Sequence, residues 1–108
     1  KLTTQKCLPC EGNVKPLTSL QYAPLLKEVP SWKIINGKQL EREFQFKNFK
    51  IALDFVNNVG KIAEKEGHHT DILLHGWNKV KLTLFTHAIG GLSKNDFIVA
   101  AKIDQLVK

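Results

Sequence analysis

The sequence predicts an α+β domain: a four-stranded antiparallel sheet with three helices on one face, in the order α-β-β-α-β-β-α. Three observations carry this expectation. Asn36-Gly37 sits between two extended apolar runs, and Asn-Gly favours a hairpin because both turn residues tolerate positive φ. Ile51, Phe55, Val59 and Ile62 recur at intervals of three and four, as one stripe of an amphipathic helix does. From Val80 to Thr86 apolar and polar residues alternate, the period of a half-buried strand.

Residues 1–17 read as an irregular arm punctuated by Pro9, Gly12, Asn13 and Pro16, and residues 18–108 as a single domain. Thr18 and Gln21 match a capping box opening a short helix that stops before Pro30. Pro24 conflicts with that start, so a first turn nearer Tyr22 is the competing boundary. Trp32 to Ile35 enters the Asn36-Gly37 turn, and the return strand runs from about Lys38 to Phe46, with Leu40, Arg42, Phe44 and Phe46 on alternate positions. Asn48 can cap the second helix, which Gly67 ends. Asp71 to His75 is a short strand, Gly76 to Lys79 a connection, and Val80 to Thr86 the fourth strand. In that strand Val80, Leu82 and Leu84 face the core, and Lys81, Thr83, Phe85 and His87 face away. After Gly90-Gly91, Ser93 and Asp96 form a second capping box, and Lys94 to Val107 closes the chain as a helix with Phe97, Ala100, Ile103 and Val107 inward.

Composition narrows the function classes. At 108 residues, with 43% hydrophobic and 24% charged residues, the chain is sized for one hydrophobic core. No apolar run is long enough to cross a membrane and the lysine-led start lacks a signal-peptide core, so a cytoplasmic protein is expected. The net charge of +6 raises nucleic-acid binding, but the lysines are scattered and no basic run alternates with aromatics, so no nucleic-acid partner is expected. Cys7 and Cys10 form Cys-Leu-Pro-Cys with no histidine nearby in sequence; they read as a mobile, inert pair. There is no internal repeat, coiled coil, phosphate loop or nucleophile elbow.

The chemistry rests on His68, His69 and His87. The adjacent pair falls between the second helix and the third strand, and His87 ends the fourth strand. A hairpin brings the start of its first strand, near Thr70, beside the end of its second, near Thr86, so His87 is expected close to the pair. Histidine exchanges protons near neutrality, which makes the cluster a candidate acid–base site. Two other readings stay open on spacing alone. Three imidazoles can hold zinc, although adjacent histidines aim poorly at one ion and no HxH or HxxxH spacing occurs. The residues could also be solvated loop histidines. Glu64, one turn before the pair, could orient a ring. Trp77 could wall a pocket or fill the hairpin core, His75 reads as exposed, and Asp96 is most simply a capping residue.

Taken together these residues resemble the pterin-4a-carbinolamine dehydratase family. Three residues separate Glu64 from His68-His69-Thr70, six separate Thr70 from Trp77, nine separate Trp77 from His87, and eight separate His87 from Asp96. Trp77-Asn78-Lys79-Val80, Thr86-His87, Gly91-Leu92-Ser93, Val29-Pro30-Ser31-Trp32 and the Cys-x-x-Cys-Glu-Gly start add to the likeness, which covers about residues 7–108. It departs at Thr70, where the family usually has Pro; Thr frees φ and adds a donor, which bears on the rigidity of the histidine corner.

The resemblance implies dehydration of 4a-hydroxytetrahydropterin to quinonoid dihydropterin, in support of tetrahydropterin recycling, with no metal and no organic cofactor. It implies acid–base roles for His68 and His87, substrate positioning by His69, and substrate contacts or polarisation by Glu64, Thr70, Trp77, Thr86 and Asp96, with Thr86 acting through its backbone. It implies a pterin substrate, a homodimer or homotetramer, and a pterin-dependent hydroxylase as partner. The alternative is a non-catalytic protein-binding or transcriptional cofactor on the same fold.

Overall fold

The computed structural model describes residues 1–9 and 14–107. Its helices are α1 (Ser19–Leu26), α2 (Phe49–Glu66) and α3 (Lys94–Asp104); its strands are β1 (Lys33–Ile35), β2 (Gln39–Gln45), β3 (Asp71–His75) and β4 (Lys79–Leu84). The strands form one antiparallel sheet in the order β1-β2-β4-β3, and the α-β-β-α-β-β-α succession is the one expected. Each hairpin turns through two consecutive residues of positive φ: Asn36 and Gly37 in the first, Gly76 and Trp77 in the second.

One face of the sheet is covered by the helices. Leu40 and Phe44 of β2 and Val80, Leu82 and Leu84 of β4 are buried with Ala52, Phe55 and Val59 of α2 and Phe97, Ile98, Ala100 and Ile103 of α3. The other face carries Glu41, Glu43 and Lys81, with Lys81 Nζ 3.6 Å from the Glu41 carboxylate. The sheet is thus apolar on one side and polar on the other, as its alternating sequence requires. α3 is the central helix: every residue from Asn95 to Ala101 is buried. Arg42 lies on the inward rows of β2, yet its charge is matched: Nη1 bonds the Asp104 carboxylate at 2.6 Å and the guanidinium stacks 4.3 Å from the Phe44 ring. Trp32 Nε1–H donates to the same Asp104 oxygen at 2.8 Å.

Several boundaries differ from expectation for identifiable reasons. α1 does start at the capping box: Thr18 Oγ1 accepts the Gln21 N–H at 3.4 Å and Gln21 Oε1 accepts the Thr18 N–H at 2.8 Å. Pro24 is inside the helix, tolerated because it and Leu20, whose carbonyl it leaves without an intrahelical donor, face solvent. The buried stripe of α2 is Ala52, Phe55, Val59 and Ala63; Ile51 is exposed, because two alanines let the helix approach the sheet one residue further round. β4 ends at Leu84, since Thr86 turns inward and His87–Ile89 form a 3-10 turn. α3 gives way to a 3-10 turn at Gln105–Val107, and Val107 is exposed.

The N-terminal arm is also more ordered than an irregular tail. Leu2–Thr4 form a 3-10 turn, and Leu2 is 1% exposed, packed in the main core. Leu2 N–H donates to Glu28 Oε1 at 3.1 Å. Cys7 is half-buried and tethered, so it is not a mobile residue; Cys10 lies outside the described residues.

Candidate active site

The helix end creates the histidine corner. Gly67, at φ 65°, takes the left-handed conformation that closes α2, and the His68 N–H donates back to the Ala63 carbonyl at 3.1 Å. His68 and His69 therefore emerge directly from a capped helix. β3 then pairs with β4 through Asp71↔Thr83, and His87 stands just past the end of β4. The three histidines line one hollow of about 470 Å³, together with Cys7, Leu8 and Pro9 of the arm, Glu66, Phe85, Thr86 and Asn95.

His68 is the most constrained of the three. Its Nε2 lies 2.6 Å from Oδ1 of Asp96, and the two side chains are 12% and 0% exposed. The other Asp96 oxygen accepts the Thr86 hydroxyl at 2.8 Å and the Ser93 N–H at 3.0 Å. Ser93 Oγ is 2.8 Å from Thr86 Oγ1. Thr86 spends its only hydroxyl proton on Asp96, so Ser93 is the donor in that contact. A carboxylate surrounded by donors only accepts. His68 must then carry its proton on Nε2 and present Nδ1 as the nitrogen that can take or give another.

His69 Nε2 meets the Glu64 carboxylate, and both side chains are exposed. His87 sits in the 3-10 turn with its ring edge-on to Phe85, centroids 4.7 Å apart. The site thus holds one histidine fixed by a buried network, one paired at the surface, and one held by an aromatic contact. Among the described residues, no group of three or more His, Cys, Asp and Glu side chains is placed to hold a metal ion.

The remaining candidates divide. Asp96 and Thr86 belong to the network behind His68. The Thr86 main chain is engaged with Gly91, its N–H donating to the Gly91 carbonyl at 3.0 Å. Thr70 is one step removed: its hydroxyl donates to the Thr83 carbonyl at 2.9 Å and ties the histidine corner to β4, supplying by a bond part of the rigidity a proline ring would give. Trp77 is elsewhere. It is 60% exposed in the β3–β4 turn, beside His75↔Lys79, at the opposite end of the strand pair from the hollow. His75 pairs with Glu43 at 2.5 Å on the polar side of the sheet.

Residues that sequence reasoning missed form the far wall. Cys7 N–H donates to Glu66 Oε1 at 3.0 Å, and Lys102 Nζ bonds Glu66 Oε2 at 2.5 Å. Burial raises the Glu66 carboxyl, but the Lys102 hydrogen bond, the Cys7 amide and the Lys102 charge outweigh it and hold the group below its ordinary value. Burial, then the Glu66 charge, pushes the Cys7 thiol up to about 12, so it stays protonated. Phe85 had a signal, its place on the same outward row as His87. The arm had none, because its contacts join residues 26 to 87 positions apart.

Residues 15–106 match the family described as Pterin 4 alpha carbinolamine dehydratase. A protein of Alkaliphilus metalliredigens assigned to the same dehydratase is 52% identical over 96% of this chain and 94% of its own. The mitochondrial pterin-4-alpha-carbinolamine dehydratase 2 of Arabidopsis thaliana is 46% identical over 97% of this chain and 58% of its own. Among solved structures, a transcriptional coactivator/pterin dehydratase from Brucella melitensis superposes with a TM-score of 0.79 at 28% identity, over 87% of this chain and all of that one. A pterin dehydratase-like protein described as a RuBisCO assembly factor in the alpha-carboxysome shares the fold, with a TM-score of 0.60 at 24% identity over 70% of this chain and 88% of its own. Family match, near full-length relatives and a shared fold lead to one conclusion: this chain belongs to the pterin-4-alpha-carbinolamine dehydratase family, whose members are hydro-lyases.

Proposed function

We propose that this protein removes water from 4a-hydroxytetrahydropterin to give quinonoid dihydropterin, using its histidines as general acid and base. The observation that carries the reading is the convergence of His68, His69 and His87 on one hollow, with the buried Asp96 network behind His68. The reaction breaks the C4a–O bond. Hydroxide leaves poorly, so an acid must protonate that oxygen as the N5 lone pair forms the C4a–N5 double bond, and a base must take the ring proton released. Two protonatable groups on opposite sides of a flat ring meet that demand with no metal or organic cofactor. His68 and His87 are suited to it, since they come from different segments of the chain and border the same space. His69, paired with Glu64, is suited to holding the substrate.

The same reading has the protein recycling tetrahydropterin beside a pterin-dependent hydroxylase, in the cytoplasm, as a homodimer or homotetramer. The exposed Ile72 and Leu73 of edge strand β3 give a physical motive for pairing between copies. Among the described residues no helix is long and apolar enough to cross a membrane.

The test is direct. Purified protein added to freshly generated 4a-hydroxytetrahydropterin should accelerate appearance of the quinonoid product well above the spontaneous rate. A protein that acts only by binding a partner would leave the rate unchanged.

A further inference from the structure

The arm that walls the hollow lies outside the residues matched to the family, which begin at position 15, yet the Alkaliphilus relative covers 96% of the chain and so takes in most of it. The attachment of the arm is specific. Asn95, itself buried at the start of α3, presents its carboxamide to the Leu8 peptide as a second peptide group would: Nδ2–H donates to the Leu8 carbonyl at 2.5 Å, and Oδ1 accepts the Leu8 N–H at 3.0 Å. One residue earlier Cys7 N–H is held by Glu66, and Glu66 by Lys102. Leu2 fixes the other end in the core.

All this anchoring leaves the Leu8 side chain 72% exposed, with Pro9 exposed beside it, both on the wall of the hollow that His68, His69 and His87 also line. A single exposed leucine is ordinary on a protein surface; Leu8 stands apart because Asn95 holds its peptide on both sides while its side chain borders the hollow, ready to meet an apolar ligand surface. The hollow is where a flat, partly apolar heterocycle would sit under the proposed reaction. We propose that Leu8 and Pro9 are substrate-contacting, specificity-determining residues, and that Asn95 is a positioning residue that holds them over the histidine site. The wall contributes binding to ground and transition states alike, since it faces the ring rather than the breaking bond.

This inference rests on the pterin reading of the hollow, so its test must separate the two. Deleting residues 1–9 would also remove Leu2 from the core and confound stability with binding. Leu8→Ala avoids that, because the exposed side chain contributes little to the fold and both backbone bonds to Asn95 survive. Asn95→Ala releases the wall while keeping Leu8.

Two quantities are read in each variant: kcat and KM for 4a-hydroxytetrahydropterin, and the Kd of 7,8-dihydrobiopterin, which lacks the leaving hydroxyl, from its fluorescence. Leu8→Ala should raise KM and Kd about five- to ten-fold, with kcat within about two-fold and Tm unchanged. Asn95→Ala should raise KM and Kd likewise, lower Tm through its two lost bonds to Leu8, and speed hydrogen exchange at the Cys7 and Leu8 amides. Unchanged KM and Kd in Leu8→Ala, or a loss confined to kcat, would overturn the proposal. A wild-type protein that binds the dihydropterin through Leu8 without dehydrating the carbinolamine would refute the reaction and uphold the wall. Absence of wild-type binding would overturn both.

Discussion

Replacing Asp96 by Asn tests the tautomer argument on which the role of His68 depends. Asp96 is fully buried, and its carboxylate accepts from three donors: His68 Nε2 at 2.6 Å, the Thr86 hydroxyl at 2.8 Å and the Ser93 N–H at 3.0 Å. Thr86 and Ser93 share one oxygen, so an asparagine keeps its carbonyl there and turns its NH2 to the position now facing His68. Two N–H groups then oppose each other across 2.6 Å. The neutral ring escapes only by surrendering the Nε2 proton and carrying it on Nδ1, which converts the nitrogen left for the substrate from a base into a donor. A charge-assisted hydrogen bond becomes a neutral one, at a cost of about 1–2 kcal/mol in stability. Acid–base catalysis by a positioned histidine is worth about 10²–10⁴ in rate, so kcat should fall within that range while the protein stays folded. Steady-state dehydration assays report the rate, and ¹⁵N chemical shifts of the His68 ring report the tautomer. An inverted tautomer with kcat within a few-fold of wild type would refute the role given to His68. A retained Nε2–H tautomer would refute the hydrogen-bond reasoning itself.

Other consequences follow from the wall opposite the histidines. With its thiol pushed up to about 12, Cys7 is almost wholly protonated at pH 8, and site-resolved mass spectrometry should show iodoacetamide labelling about 1,000-fold slower than a free cysteine; labelling within ten-fold would contradict its burial. Glu66 has its carboxyl below the ordinary 4.5, so the folded state binds that proton less readily than the unfolded one, and its stabilisation is present above about pH 4.5 and lost as pH falls through the depressed value. Glu66→Gln should therefore cost about 2–3 kcal/mol at pH 7, where it leaves Lys102 without its partner charge, and the gap from wild type in urea melts should close in acid; a gap independent of pH would contradict the assignment. Thr70→Val removes the bond to the Thr83 carbonyl and should cost about 1 kcal/mol in the same melts, with no loss meaning that the bond does not brace the corner.

Much of the fold was legible because its punctuation is local. Asn36-Gly37, Asn48, Gly67 and the Ser93–Asp96 spacing each act over a few residues, and each sits where the structure turns or caps a chain segment. The meeting of His87 with His68 and His69 was legible one level up, from antiparallel pairing alone. Errors arose where the deciding contact is distant. Ile51 was given a buried place that Ala52 takes, because the approach of α2 to the sheet depends on what packs beneath it. The register of β3 and β4 sets Trp77 at the end of the strand pair away from the hollow, a placement that spacing along the sequence does not contain. The arm looked mobile because proline and glycine mark loops equally well whether they are free or tethered, and its tethers, Glu66, Asn95 and Glu28, lie far along the chain. Asp96 read as a cap and is one; its second oxygen facing His68 is a tertiary fact that no capping pattern contains.

The central claim is that histidines around one hollow carry the proton transfers of dehydration. Its most direct test is the single-turnover rate of water loss from 4a-hydroxytetrahydropterin by wild type, His68→Ala and His87→Ala, each checked for an unchanged fold by circular dichroism. The account predicts that each substitution slows the step about 10²-fold or more. Wild-type rates in both folded variants would contradict it.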